Sequence, residues 1–90
     1  MVEKQGTVKN ARGIHLRPAT LLRKAVDGYA GTVEVIGPDG TTANPHSVLS
    51  VMSLALVQGE TFTVRVNGEN EEDECNKILN LLESIFEFEK

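Results

Sequence analysis

The residues best suited to chemistry in this chain are His15, Arg17 and Pro18, set in the run Gly13-Ile14-His15-Leu16-Arg17-Pro18-Ala19. Proline inside a helix is tolerated only in the first turn, so Pro18 fixes a helix start close to His15. The unpaired amides of that turn, and the positive end of the helix dipole, then face any anion carried on the imidazole. Gly13 can take a positive φ and so help swing the ring outward. Arg17 supplies a planar, permanently charged fork that matches phosphate oxygens. The magnitudes suit a carrier better than a trap. A helix terminus contributes about 0.3–1 kcal/mol to a nearby anion, and a hydrogen bond to a charged group about 1.5–3 kcal/mol. Together they would orient a phosphoryl group on His15 without preventing its departure.

Taken alone, a His-x-Arg-Pro string is a weak signal, since the same histidine could cap a helix or simply lie on the surface. A small enzyme working by general acid–base catalysis would need a second group within hydrogen-bond reach of His15, and no obvious base or nucleophile stands near it in sequence. Composition narrows the classes further. Ninety residues make one domain, 1–90, with a single modest core. The chain is 40% hydrophobic and 24% charged, with a net charge of −4 concentrated as acid toward the C-terminal end. There is no basic excess and little aromatic surface for stacking, so nucleic acid is not an expected partner. One cysteine, Cys75, forbids an internal disulfide and any multi-cysteine metal site, which points to the reducing cytoplasm. No apolar stretch is long enough to span a bilayer. No cofactor or metal is expected.

The elements that must position His15 are legible as periodicities. Val2, Lys4, Gly6 and Val8 alternate with Glu3, Gln5 and Thr7 as a first strand ending near Lys9-Asn10. From Leu16 to about Asp27, Ala19, Leu22, Ala25 and Val26 form one face of an amphipathic helix, with Tyr29 just beyond. Arg17, Thr20, Arg23 and Lys24 fall on the other. Arg23 and Lys24 either extend the positive surface around Arg17 or form an ordinary solvated face. Thr32 to Ile36 reads as a strand, Gly37-Pro38-Asp39-Gly40 as a turn with a left-handed glycine corner, and Thr41 to Ala43 as the return strand. Asn44-Pro45 breaks direction, and Ser47 is placed to cap a short helix running through Val48 to Leu54. Val48, Leu49 and Met52 either join the core or form an outward apolar patch, where a flexible methionine suits several partners. Thr61 to Val66 is a further strand with Phe62, Val64 and Val66 on one face. Asn70 is placed to cap a final helix whose first turn holds Glu71, Glu72, Asp73 and Glu74 and whose apolar stripe runs Cys75, Ile78, Leu79, Leu82, Ile85, Phe86. Cys75, on that stripe and beside acids, reads as a core thiol. One-faced helices alternating with half-buried strands imply an α+β two-layer sandwich with the sheet covered on one side.

Two segments carry a resemblance. Gly13 to Ala19 resembles the active-site motif of the histidine-containing phosphocarrier (HPr) family of the bacterial phosphoenolpyruvate:sugar phosphotransferase system, and Ser47-Val48-Leu49-Ser50-Val51-Met52-Ser53-Leu54 resembles its second signature at the family's spacing. The resemblance covers essentially the whole chain. It implies an open-faced sandwich of four antiparallel strands with three helices on one face. It further implies that His15 accepts a phosphoryl group on Nδ1 from enzyme I, charged from phosphoenolpyruvate, and passes it to enzyme IIA components of sugar permeases, while Arg17 holds the phosphoryl oxygens. Such a protein is a carrier, not a free-standing enzyme, with reason to be monomeric. Ser47 matches the serine modified by HPr kinase/phosphorylase in many family members, a link to carbon-catabolite control and its transcription regulator. Leu16, Thr20, Arg23, Lys24, Val48, Leu49 and Met52 are the expected partner-binding residues. Leu16 departs from a common alanine, Ser50 from a common glycine and His46 from a frequent lysine. A regulatory paralogue acting through Ser47 as a binding module is the alternative.

Overall fold

A computed structural model describes residues 1–9 and 16–83. The elements run β1 (Val2–Thr7), α1 (Leu16–Val26), β2 (Thr32–Ile36), β3 (Thr42–Ala43), α2 (Val48–Met52), β4 (Thr61–Asn67) and α3 (Glu71–Leu82). The four strands form one antiparallel sheet in the order β1-β4-β2-β3. The three helices lie on one face, so the α+β open-faced sandwich expected from the sequence is the fold.

The two faces of the sheet follow from alternation. Phe62, Val64 and Val66 of β4 are buried, as are Val33 and Val35 of β2 and Gly6 of β1. These meet Ala19, Leu22 and Val26 of α1, Val51 of α2 and Cys75, Ile78 and Leu82 of α3 in a single core. The opposite face stays wet and is closed by charge. Glu3, Arg65 and Glu34 stand in one row across three strands, and Arg65 reaches Glu3 at 2.6 Å and Glu34 at 3.3 Å. Cross-strand pairs of opposite charge on a solvated face hold register more than they add stability.

Several boundaries moved. β1 ends at Thr7, although Val8 continues the pairing through hydrogen bonds to Glu60 O and from Gly59 N. Gly40 takes the left-handed corner, with φ of 88°. α2 stops at Met52, short of Leu54, and the chain then turns through Ala55, whose φ of 52° is left-handed. An L-residue pays for that conformation and glycine does not. Ala55→Gly is therefore expected to stabilise the domain by about 0.5–1 kcal/mol, a rise of a few degrees in melting temperature readable by calorimetry.

Asn70 corrects an expectation. It precedes α3 but sits at φ 51°, ψ 36°, and its side chain makes no capping bond. A left-handed residue cannot swing its carboxamide over the first turn as an extended cap does. Glu71 instead turns back to accept the Gly68 N–H at 3.1 Å and the N-terminal ammonium at 2.8 Å. Cys75 is buried, its thiol 3.6 Å from the Val64 carbonyl, and burial pushes its pKa up. That is a core thiol, as the sequence implied. Ile85 and Phe86 lie outside the described residues.

Candidate functional site

The candidate acceptor, His15, lies outside the described residues, as does Gly13. α1 begins at Leu16, immediately after His15 in sequence, and Pro18 occupies its first turn with its ring buried. The amide-rich end of α1 thus begins at the residue after the histidine, and no acid stands in that first turn to offset its positive field. Burying Pro18, Ala19, Leu22 and Val26 against the core fixes the helix rotation. The same rotation turns Arg17, Arg23 and Lys24 outward.

Leu16, Arg17, Thr20, Leu21 and Lys24 line one shallow hollow on α1. The structure therefore gathers four of the residues named from the sequence and adds Leu21, which its spacing alone did not single out. Arg23 is exposed outside that hollow. Thr20 has its hydroxyl committed, donating to the Leu16 carbonyl at 2.7 Å. Its role there is to hold the helix start, with a methyl group left for contact.

α2 packs beside α1 and presents a mixed surface. Leu49 is 80% exposed and Met52 36%, while Leu16 on α1 is 61% exposed. Val48 is partly buried against the core and Val51 fully so. The alternatives left open by helical spacing thus divide. Leu49 faces outward, Met52 sits at the margin, and Val48 leans inward. Ser47 is half-buried, extended at φ −117°, ψ 114°, and its Oγ accepts the Ser50 N–H at 3.2 Å. A capping hydroxyl contributes about 1 kcal/mol. Ser47→Ala is expected to lower stability by about that amount and Ser47→Asp to retain it, since a carboxylate caps as well; urea melts of the two proteins compare them.

One contact near the site was invisible in the sequence. Gln58, in the loop before β4, donates from Nε2 to the Lys9 carbonyl at 3.2 Å, which ties that loop to the end of the first strand. A second lies at the far end of α1. Glu74, 8% exposed, pairs with Lys77 at 3.0 Å, and Lys77 also donates to the Ala25 carbonyl at 3.0 Å. Lys77 thus ties α3 to α1, with the first-turn acid Glu74 buried beside it. Among the described residues no group of His, Cys, Asp or Glu side chains converges as metal ligands. None of the described helices is long and apolar enough to cross a membrane.

A helix start bearing arginine behind a histidine, beside a capped short helix with outward apolar residues, on an open-faced four-stranded sheet, is a specific combination. The family model described as "PTS HPr component phosphorylation site" matches residues 2–84. The chain belongs to the HPr family. Among relatives, the phosphocarrier protein HPr of Lysinibacillus sphaericus is 40% identical over 82 residues, 91% of this chain and 92% of that protein. The HPr-like protein Crh of Halalkalibacterium halodurans is 32% identical over 83 residues, 92% of this chain and 98% of that one. A crystal structure of HPr from Thermoanaerobacter tengcongensis superposes with a TM-score of 0.82 at 30% identity, covering 93% of each chain. HPr proteins are phosphocarriers of the phosphotransferase system, so this chain is placed among carriers, not classical enzymes.

Proposed function

We propose that this HPr-family protein accepts a phosphoryl group on Nδ1 of His15 from phosphorylated enzyme I and delivers it to enzyme IIA components of sugar permeases. The observation that supports the reading best is the start of α1. It begins directly after His15, has no acid in its first turn, and places Arg17 and Lys24 on one hollow. A neutral imidazole nitrogen attacks phosphorus in line as the bond to the donor breaks, and the oxygens, whose charge is conserved through the transfer, rest on Arg17 and the helix amides. Leu16, Leu49 and Met52 provide an apolar contact surface, and Arg23 and Lys24 a basic margin that favours acidic partners. The protein works in the cytoplasm as a monomer, carrying a phosphohistidine between partners.

Ser47 is a regulatory site in the same reading. A phosphate there adds about −1.5 to −2 charges where the helix dipole tolerates them, so the fold survives and docking of an acidic or apolar partner weakens. HPr kinase/phosphorylase and a catabolite-control transcription regulator are the corresponding partners. The likeness to a Crh protein supports a second reading, a regulatory module acting mainly through Ser47. Incubation with phosphoenolpyruvate, magnesium and the host's enzyme I, followed by intact mass and phosphorus NMR, decides between them. One acid-labile phosphate on a ring Nδ1 supports the carrier; none moves the weight to the Ser47 module.

A further inference from the structure

The turn that leads into α2 is built by one residue and clasped by another. Asn44 follows β3, whose Ala43 is paired with Val35. The Asn44 carbonyl accepts the Ser47 N–H at 2.9 Å, closing a β-turn over Asn44 to Ser47. Inside that turn its side-chain oxygen accepts the His46 N–H at 3.0 Å. Pro45 has a fully buried side chain and a fixed φ, so the turn is anchored to the core. The Asn44 N–H goes to the Ser50 hydroxyl at 2.9 Å, while the Ser50 N–H goes to Ser47 Oγ at 3.2 Å. Ser50 therefore grips both ends of the turn, the start through its side chain and the end through its backbone. Glycine at this position would keep only the second grip.

We propose that Asn44 and the Ser50 hydroxyl are positioning residues for phosphorylation of Ser47, an inference that rests on the reading of Ser47 as the regulatory serine. In that transfer Ser47 Oγ forms a bond to the terminal phosphorus of a nucleoside triphosphate, the bond from phosphorus to the nucleoside diphosphate oxygen breaks, and the hydroxyl proton passes to a base on the kinase. The oxygen must therefore be held in place and its proton kept available. Both conditions hold at Ser47. The bond accepted from Ser50 orients Oγ, and the Ser47 hydroxyl donates to no described residue. Ser53, at the end of the same helix, differs, because its proton is committed to the Ser50 carbonyl at 2.6 Å. Ser47 Oγ stays in place only while the turn before it does, and Asn44 and Ser50 hold that turn. A nucleophile presented in one conformation loses less freedom on docking than one the kinase must first order.

The test is phosphorylation by HPr kinase/phosphorylase with ATP and magnesium, read by intact mass and fragmentation, on wild type, Ser50→Ala, Asn44→Ala and Asn44→Asp. Ser50→Ala removes the acceptor of the Asn44 N–H and leaves the Ser50 N–H in place; Asn44→Ala removes the acceptor of the His46 N–H. Each is expected to lower kcat/KM at Ser47 by about two- to tenfold, the equivalent of one neutral hydrogen bond. Asn44→Asp, whose carboxylate accepts the same N–H, is expected to restore it. Phosphoryl uptake at His15 from enzyme I should match wild type in all three variants. A wild-type rate at Ser47 in either Ser50→Ala or Asn44→Ala overturns the proposal and leaves the Ser47 reading intact. So does a parallel fall in His15 uptake, which marks a general loss of fold, or a failure of Asn44→Asp to recover. A wild-type protein that gains no phosphate on Ser47 ends that reading, and the proposal with it.

Discussion

The His15→Ala protein is expected to take up no phosphoryl group from phosphoenolpyruvate, magnesium and enzyme I under conditions that load the wild type fully. The reason is the scarcity of alternatives. The chain has two histidines, and the other, His46, lies at the β2–β3 edge among Gly31, Glu34 and Asn44. The cation beside the helix start, Arg17, is a guanidinium with donors only and offers no nucleophile to phosphorus. Removing the ring therefore removes the nucleophile and leaves the binding surface. Arg17→Ala should act by degree, slowing transfer about ten- to a hundredfold, the equivalent of one hydrogen bond to a charged group. Circular dichroism and melting temperature should stay put in the Arg17 variant, since that side chain is exposed. A His15→Ala protein that still takes up one phosphate, mapped by fragmentation to another residue, would move the acceptor and end the carrier reading of His15.

Phe62→Ala is expected to cost about 3–5 kcal/mol, a large share of the roughly 5–15 kcal/mol available to a domain. Among the described residues Phe62 is the largest fully buried side chain, 1% exposed. Its place is made by an absence. Gly6 stands opposite it on β1, and a Cβ there would come within 2.8 Å of both Phe62 Cζ and Leu79 Cδ1. The ring occupies the volume that any other residue at position 6 would claim. Gly6→Ala should therefore destabilise the wild type more than it does the Phe62→Ala protein. A coupling of about 0.5–3 kcal/mol in the double-mutant cycle is the signature. Equal effects in both backgrounds would show that the ring and the glycine do not share that space.

The predicted elements held where side chains repeat at a fixed period. The alternation of Phe62, Val64 and Val66 and the helical spacing of Ala19, Leu22 and Val26 each appear in the structure as a buried face. So did the serine cap on α2, because Ser47 acts on an amide three residues away. Asn70 shows the limit of such local rules. An asparagine before an acidic helix start reads as a cap, yet the backbone arrives from the Gly68 turn in a left-handed conformation, and Glu71 turns back to accept the Gly68 N–H.

What the sequence determined by itself was the set of elements and the fold class, since periodicity and turn chemistry act within a few positions of the chain. The start of α1 belongs to that set, because Pro18 pins it through a steric rule that needs no partner. Tertiary structure decided which exposed apolar residues stay exposed, separating Leu49 from Val48 on one short helix. It also decided that Lys77 on α3 reaches the Ala25 carbonyl on α1 and that Gln58 holds the Lys9 carbonyl. These contacts join residues far apart in sequence. Their geometry is set by how three helices settle on one twisted sheet, and periodicity along a chain carries no record of that.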